Sequence, residues 1–418
     1  GRVKTLHPKI FGGILQNPDK KSDNHDLEKF DIDKYDFVFV DLYPFEEALK
    51  QDLSIQDQIE YVDIGGISLI RAAAKNFQHV ICIPSKNHLE IFLEEFDKNE
   101  GLITYQTRKK LATETFKLTS HYDQLIAEYI DNTENTKPLR YGENPHQNAV
   151  YKGDLNSIFD QLNGKELSFN NLLDVDAAMH LIHEFEDSEI TFAILKHNNA
   201  CGVAQRDNLV DAYKAALQGD PVSAFGGILI TNQILDVETA QEISNLFCEV
   251  VIAPDFESEA LTILKKKKNR ILLRNKGFIK PAKQLRSCLN GVLSQDYDNI
   301  TDNKSMMKLA TNSQATESQI KDLTFASIIS KHTKSNTIVL VKDKQLLASG
   351  TGQTSRVDAL EQALVKAKNN KLPLENAVMA SDAFFPFPDC VEIASKEGIN
   401  SVIQPGGSIK DQQSIDFC

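Results

Sequence analysis

Two side chains that can move a proton stand together at the end of an apolar run, in the segment TFAILKHNNACG. The run is typical of a short buried strand, and it delivers Lys196 and His197 to the carboxyl end of that strand, where α/β folds place ligands. A histidine titrates near pH 6.5 in unstructured peptides, and a neighbouring cation favours its neutral, basic form. The pair therefore indicates a general base beside a lysine. A core histidine bonded to a backbone carbonyl and a Cys–His nucleophile with Cys201 are the alternatives.

A second set of residues is typical of an anion site. The segment VKTLHPK (3–9) supplies two lysines, and DIGG (63–66) supplies a glycine turn whose backbone N–H groups can approach an anion at the start of a helix. Arg71 and Lys75 are four residues apart on that helix, so they share one face. A surface helix with solvated charges explains any one lysine, but the whole set favours anion binding.

The segment LRYGENPHQNAVY (139–151) combines a cation with an aromatic ring. Arg140 can bind a phosphate or carboxylate through two parallel hydrogen bonds, and Tyr141 can stack or hydrogen-bond. An ordinary turn explains the segment equally well.

Two other segments indicate recognition of a flat, polar molecule. In DPVSAFGGILI the ring of Phe225 precedes exposed backbone at Gly226, although a tight turn between strands is nearly as good an interpretation. In TKSNTIV the amide of Asn336 can orient a substrate oxygen.

The elements that must position these residues follow from bulk properties and periodicity. The chain has 418 residues, which predicts two or three domains, and its composition of 41% apolar and 25% charged residues is that of an ordinary globular protein. The net charge of −13 argues against a nucleic-acid binder or a polybasic membrane protein. Six scattered cysteines without a CxxC motif predict reduced thiols and a cytoplasmic protein. No run approaches the roughly 20 apolar residues of a membrane helix, and no zinc-deaminase motif occurs, so neither a membrane nor a metal is expected.

Local patterns predict an α/β fold. A strand is predicted over 37–40, and a glycine turn, helix and strand over 62–84, which together favour a parallel sheet. The polar stretch 131–138 predicts a domain boundary, and 294–305 a separation between two lobes. A hairpin is expected over 336–350, and KKKKNR (265–270) is expected to be solvated.

Twelve motifs, in order along the chain, resemble the family of bifunctional AICAR transformylase and IMP cyclohydrolase. They are VKTLHP, LYPF, DIGG with RAAAKN, LRYGENPHQ, LNGKELSFNN, KH with ACG, SAFGG, EVVIAP, SNTIV, GQTSR, SDAFFPF and QPGGSI. One such motif would be weak evidence, but twelve in order leave little room for chance.

The resemblance implies a fold and a domain plan. Residues 1–131 would form the IMP cyclohydrolase domain, similar to methylglyoxal synthase and truncated here. Residues 138–418 would form the AICAR transformylase region, with two cytidine-deaminase-like lobes and a break near 291–305. The resemblance also implies a homodimer whose transformylase site lies across the interface.

The resemblance implies two consecutive reactions. A formyl group would move from the co-substrate 10-formyltetrahydrofolate to AICAR, giving FAICAR, and ring closure with loss of water would then give IMP, the last two steps of purine biosynthesis. No metal is required for this chemistry. A transformylase alone, or a non-catalytic nucleotide- or folate-binding relative, is the alternative.

The resemblance also implies roles for particular residues. His197 would take a proton from the amine of AICAR, Lys196 would tune His197, and Asn336 would hold the formyl oxygen or the substrate amide. Substrate contacts would come from Arg140, Tyr141, Phe225, Gly226, Glu249, Arg356 and Phe384.

For ring closure the resemblance implies a separate set. The catalytic residues would be Lys4, Tyr43, Asp63 and Lys75. The backbone amides of Gly65 and Gly66, with Lys75, would steady the oxyanion, and Asp63 and Tyr43 would handle protons.

Some features depart from the family pattern. The chain begins at Gly1 inside a functional motif, so we expect a glycine-rich phosphate loop before it, and a basic tail after Cys418. Pro388 stands where the family usually has arginine, and Ala200 where it has proline.

Overall fold

The chain divides into two units, residues 1–136 and 137–418. The computed structural model describes residues 4–51, 53–186, 189–277 and 280–418, with residues 4 and 131–136 described by their backbone alone. Both units mix helices and strands, which confirms the predicted α/β class at that coarse level.

The first unit is mainly helical, with one pair of strands. Its elements are the 3-10 helices Lys4–Leu6 and Lys86–His88, the helices α1 Pro8–Leu15, α2 Lys21–Phe30, α3 Phe45–Ala48, α4 Ile55–Ile59, α5 Gly65–Lys75, α6 Leu89–Lys98 and α7 Tyr105–Asn135, and the strands β1 Phe37–Phe39 and β2 Ile81–Ile83.

Helix α5 is the centre of the first unit because its apolar positions recur at helical spacing. Ile70, Ala73 and Ala74 are buried on it, as their spacing predicts. Strands β1 and β2 pair in parallel, with Phe37 opposite Ile81, which confirms the parallel pairing predicted for this region.

The second unit is built on a mixed sheet of ten strands, with further short sheets. Its strands are β3 Thr136–Leu139, β4 Ala149–Lys152, β5 Phe159–Asn163, β6 Thr191–Lys196, β7 Asn199–Gln205, β8 Ile228–Thr231, β9 Val250–Ala253, β10 Ile271–Asn275, β11 Lys283–Cys288, β12 Gly291–Asp296, β13 Ile338–Lys342, β14 Gln345–Gly350, β15 Val378–Ser381 and β16 Ser401–Ile403. Its helices are α8 Phe169–His183, α9 Leu209–Gly219, α10 Val237–Ser244, α11 Ser258–Lys265, α12 Glu317–Lys331, α13 Arg356–Asn369, α14 Asp389–Lys396 and α15 Asp411–Phe417, with 3-10 helices at Leu155–Ser157 and Lys304–Met306.

The strand order of the large sheet is β16-β15-β13-β14-β7-β6-β8-β9-β10-β5. Side chains alternate between its faces: Ala193 and Leu195 pack with α8 and α12, whereas Phe192 and Ile194 pack with α9 to α11. The core on the α8 and α12 face includes Val339 of β13, so it runs across both halves of the sheet.

Two local expectations concern residues 294–305 and residues 265–270. The expected separation over 294–305 contains the end of β12 and a 3-10 helix, while the sheet itself continues across because β14 pairs with β7. The expectation that 265–270 is solvated is wrong at Arg270, which is only 4% exposed and donates to the carbonyl of Leu246 at 2.8 Å. The lysines before it are exposed.

The hairpin expected over 336–350 is confirmed as β13 and β14. Helix α13 begins after Ser355, whose hydroxyl accepts the backbone N–H of Asp358, as the sequence predicts. No helix among the described residues has both the length and the apolar character needed to cross a bilayer.

Candidate active site

His197 lies on a tight turn at one edge of the ten-stranded sheet. Strands β6 and β7 form a hairpin in which Lys196 pairs with Asn199, leaving His197 and Asn198 as its two-residue loop. Both loop residues have positive φ, 51° and 65°, as in the hairpin turns that match the twist of a sheet. The His197 side chain is exposed and makes no hydrogen bond within the described part of the chain. It is therefore not the core histidine of the alternative interpretation.

Lys196 is held beside this turn by the next strand of the sheet. Leu195 of β6 lies opposite Ile228 of β8, so the loop before β8 comes next to the end of β6. The Nζ of Lys196 donates to the carbonyl of Phe225 at 2.7 Å. The ammonium is thus fixed against the loop before β8, where the ring of Phe225 is 59% exposed.

Pairing of β8 with β9 brings more predicted residues to this edge. Glu249 precedes β9, and its backbone N–H donates to the carbonyl of Gly227 at 3.0 Å. Its carboxylate pairs with Lys165 at 2.6 Å. Gly226 has φ +76°, a conformation that side chains disfavour, and its N–H donates to the carbonyl of Phe247.

The second half of the sheet contributes a linked group of three side chains. The guanidinium of Arg356 donates to Oδ1 of Asn336 at 2.8 Å and to Oδ1 of Asp382 at 2.5 Å. Burial alone raises the pKa of the Asp382 carboxyl, but hydrogen bonds from Ser335 and Arg356 outweigh it and hold this pKa below its usual range. The amide nitrogen of Asn336 donates to the carbonyl of Gln353 at 2.9 Å. Arg356 and Asn336 are therefore held in a fixed orientation.

One contact joins the two groups. The backbone N–H of Lys334 donates to Oδ1 of Asn199 at 3.2 Å, while the amide of Asn199 donates to the carbonyl of His197 at 2.7 Å. Asn336 is two residues beyond Lys334. The structure therefore brings His197, Lys196 and Asn336 to one edge of the sheet.

Arg140 and Tyr141 lie on a segment tied to α8. The carbonyl of Glu143 accepts the amide of Asn170 at 3.2 Å. The Arg140 guanidinium lies over the ring of Tyr141, 4.8 Å from its centroid, and donates to its hydroxyl. Asp174, which accepts the backbone N–H of Asn198, is one turn of α8 from Asn170, about 6 Å along the axis. This segment therefore lies near the turn of His197. Phe384, in the loop after β15, is 43% exposed.

The structure does not favour Cys201 as a nucleophile. Its thiol donates to the carbonyl of Ile194 at 3.3 Å, and burial raises its pKa to about 12. A thiol with such a pKa is almost entirely protonated near neutral pH, and the thiolate is the reactive form.

In the first unit, Asp63 is a buried acceptor at the start of α5. Its carboxylate accepts the backbone N–H of Gly66 at 2.7 Å and that of Tyr43 at 3.4 Å. Its own N–H donates to the hydroxyl of Tyr122 at 2.8 Å. The N–H of Gly66 is therefore engaged by Asp63, and a Cβ at Gly66 would lie 2.4 Å from that carboxylate.

Of the other predicted residues of the first unit, Tyr43 lies beside Asp63 through its backbone N–H, whereas Lys75 lies away from the start of α5. Lys75 ends α5, ten residues after Gly65, which separates them by about 15 Å along the helix axis. Lys75 instead lines an open groove of about 330 Å³ with Phe11, Arg71 and Phe116. Tyr43 is 57% exposed, and Lys4 begins a 3-10 helix, with its side chain outside the described residues.

Sequence reasoning missed the acceptors that hold these groups in place. Asp174 accepts the N–H of Asn198 at 2.7 Å, and Asp382 anchors Arg356. Only position could have indicated them, since Asp382 directly follows the apolar run of β15 and Asp174 lies in an ordinary helical pattern. The described residues hold no group of three His, Cys, Asp or Glu side chains placed for a metal ion.

The chain is similar to known proteins over its whole length. The family model of the AICARFT/IMPCHase bienzyme matches residues 73–366. A protein of Bacteroides thetaiotaomicron called bifunctional purine biosynthesis protein PurH is 53% identical over 100% of this chain and 84% of its own length. Proteins of the same name from Aquifex aeolicus and Ruminiclostridium cellulolyticum are 44% and 41% identical, each over 100% of this chain and 85% of their own.

Proposed function

The chain belongs to the AICARFT/IMPCHase bienzyme family, and from this premise we propose how its residues divide the two reactions. It is a bifunctional enzyme of purine biosynthesis, an AICAR transformylase and IMP cyclohydrolase. It uses a folate formyl donor, which we propose to be 10-formyltetrahydrofolate.

Formyl transfer is assigned to the sheet edge of the second unit. The amine of AICAR attacks the formyl carbon, His197 takes the proton that the amine loses, and the bond to the folate nitrogen breaks as that nitrogen gains a proton. The observation that carries this assignment is the exposed imidazole on the hairpin turn, at the strand end where the ammonium of Lys196 is held by the carbonyl of Phe225. A positioned base of this kind contributes about 10²- to 10⁴-fold.

The neighbouring groups supply charge and orientation. Lys196 stabilises negative charge on the formyl oxygen as it develops, since its Nζ is already held by the carbonyl of Phe225. Asn336 contacts the formyl oxygen or the substrate amide. Because its amide is bonded to Gln353 and Arg356, this role requires it to exchange or share a bond when substrate binds.

Substrate contacts are assigned to the other groups near that edge. Arg140 is exposed and bonds only Tyr141 among the contacts described for it, so its guanidinium is available for a phosphate. Phe225, Gly226, Glu249, Arg356 and Phe384 complete the proposed set. Of these, Arg356 is already neutralised by Asp382, which suits an orienting role better than phosphate binding.

Ring closure is assigned to the first unit, where the carboxamide nitrogen of FAICAR attacks the formyl carbon and water leaves. Asp63 and Tyr43 move protons, Lys4 is a further catalytic residue, and either the turn at Gly65 and Gly66 or Lys75 contacts the oxyanion. The distance between Gly65 and Lys75 means that the two cannot serve one atom from the same α5 helix. One of them must act elsewhere on the substrate.

The domain folds, the compartment and the oligomeric state are also proposed from membership of this family. Residues 1–131 are a methylglyoxal-synthase-like cyclohydrolase domain, and 138–418 are two cytidine-deaminase-like lobes with a break near 291–305. We also propose a cytoplasmic homodimer. Six free thiols support a reducing compartment.

Separate assays of the two steps test the division of labour. We expect His197→Ala to lower formyl transfer at least a hundredfold and to leave the cyclisation of preformed FAICAR unchanged. Lys75→Ala serves as the reverse control, with cyclisation lost and transfer kept. Equal transfer rates in wild type and His197→Ala would refute the base assignment.

A further inference from the structure

The turn that presents His197 is conformationally unfavourable by itself. His197 and Asn198 both have positive φ, a conformation that residues other than glycine adopt uncommonly. Such backbone persists only where the surroundings hold it, and it concentrates at functional sites. Particular contacts must therefore hold this turn in place.

Asp174 makes the strongest of these contacts from outside the hairpin. Its carboxylate accepts the backbone N–H of Asn198 at 2.7 Å, and the backbone N–H of His197 also faces it. The residue lies on α8, whose neighbouring Val175 and Ala178 are buried in the core against the sheet. The carboxylate is thus carried by a rigid element.

The carboxylate also lies within electrostatic reach of the His197 ring. Other charged residues near the turn are Lys196, whose Nζ is bonded to Phe225, Lys334, whose backbone N–H bonds Asn199, and Arg140 on the segment tied to α8. Asp174 is therefore the acidic residue in contact with the turn among those described. Burial of Asp174 raises the pKa of its carboxyl, while the hydrogen bonds and the charge of His197 oppose that rise.

We propose that Asp174 is a positioning residue for formyl transfer, which holds His197 on its turn and favours the imidazolium that forms when His197 takes the amine proton. This inference rests on the proposed function of His197. The proton moves from the amine to the imidazole, and the carboxylate itself exchanges none. It acts through His197 and has no assigned contact with substrate.

The test compares two variants that remove different parts of the contact. Asp174→Asn keeps an oxygen that can accept the N–H of Asn198 but removes the charge, whereas Asp174→Ala removes both. We expect Asp174→Asn to lower kcat for transfer about tenfold and to move the acid limb of kcat/KM to lower pH, because the imidazolium that forms during transfer loses a neighbouring anion. We expect Asp174→Ala to lose about a hundredfold.

Asp176→Asn is the matched control, since Asp176 is exposed on the same helix and carries the same charge. We expect it to match wild type in both transfer and acid limb, and we expect all variants to keep FAICAR cyclisation. Should Asp174→Asn fail to fold, Asp174→Glu retains the charge on a longer arm and is expected to keep the acid limb in place with a lower kcat.

An acid limb that Asp174→Asn leaves unmoved would overturn the proposal, because a purely structural contact has no effect on the titration of the base. The His197→Ala variant separates this failure from a failure of the proposed function. Transfer retained by His197→Ala refutes the base itself, whereas transfer lost there but intact in Asp174→Asn refutes only the role of Asp174.

Discussion

The two units of this enzyme gather their functional residues in different ways. In the second unit, residues from 196 to 382 meet at one edge of a sheet because neighbouring strands end there together. In the first unit, Gly65 and Lys75 lie at opposite ends of a single helix. A sheet edge brings distant segments together, whereas a helix keeps residues apart in proportion to their separation along the chain.

The units also differ in the polar contacts that support them. The second unit buries a cluster in which the carboxylate of Glu184 pairs with Lys331 at 3.0 Å and His332 at 3.2 Å and accepts the hydroxyl of Thr301. The first unit relies on Asp63 at the start of α5. Lys331 and His332 of this cluster lie at the end of α12, and His332 is four residues before Asn336. The cluster therefore anchors the segment that carries the Asn336 side chain.

The largest expected effect comes from breaking the Glu184 cluster. Its side chain is 4% exposed, and Glu184→Ala leaves Lys331 without its anion and His332 without its hydrogen-bond partner, which costs about 3–5 kcal/mol of unfolding free energy. Glu317→Ala is the control, since its pair with Lys304 is exposed and is worth less than about 1 kcal/mol. Urea unfolding followed through loss of transfer activity measures both. Similar losses in the two variants would contradict a buried network.

The same cluster predicts an acid-sensitive second unit. Burial alone raises the pKa of Glu184, but hydrogen bonds from His332, Thr301 and Lys331 outweigh it, so the pKa lies well below its ordinary 4.5. Burial lowers the pKa of His332 below 6.5, more than Glu184 raises it. In both cases the unfolded chain binds more protons on acidification, so stability is present above these ordinary values and falls as the pH drops, first below about 6.5 and then below about 4.5.

Thermal unfolding from pH 8 to about pH 3 checks this dependence. Glu184→Gln removes the carboxylate's share, so below about pH 4.5 its melting temperature should fall less than that of wild type. An equally steep fall in the variant would assign the acid sensitivity to other groups.

Removal of Asp63 should have a smaller effect, confined to the first unit. Asp63→Ala leaves the N–H groups of Gly66 and Tyr43 without their acceptor, which costs about 1–3 kcal/mol and abolishes FAICAR cyclisation. Formyl transfer should stay at the wild-type rate. Exposed Glu47→Ala is the control and should keep both activities. Loss of transfer in Asp63→Ala would mean that the two sites are not independent.

The smallest effect is expected at Cys201. Because its thiol is buried and its pKa is raised to about 12, Cys201→Ala should keep formyl transfer within about twofold of wild type. Steady-state kinetics and the rate of alkylation at pH 7.5 measure this. A hundredfold loss of kcat would instead support Cys201 as a nucleophile, the role that burial of its thiol argues against.

Local structure was largely predictable from the sequence, because it depends on neighbouring residues. The strand before Lys196, the helix with Ile70, Ala73 and Ala74, and the cap formed by Ser355 all follow from apolar spacing or from a side chain beside its own helix. Arg270 shows the limit of such reasoning, since its neighbours are exposed lysines and yet it is buried.

The sequence by itself determined which chemistry is present: a lysine and a histidine at a strand end, a glycine turn before a helix, and motifs whose order identifies the family. Only the tertiary structure decided which of these groups meet. Contacts such as Asp174 with Asn198 and Lys334 with Asn199 join residues 24 and 135 positions apart. Strand pairing across the sheet sets those distances, and local periodicity contains no information about which strand lies beside which.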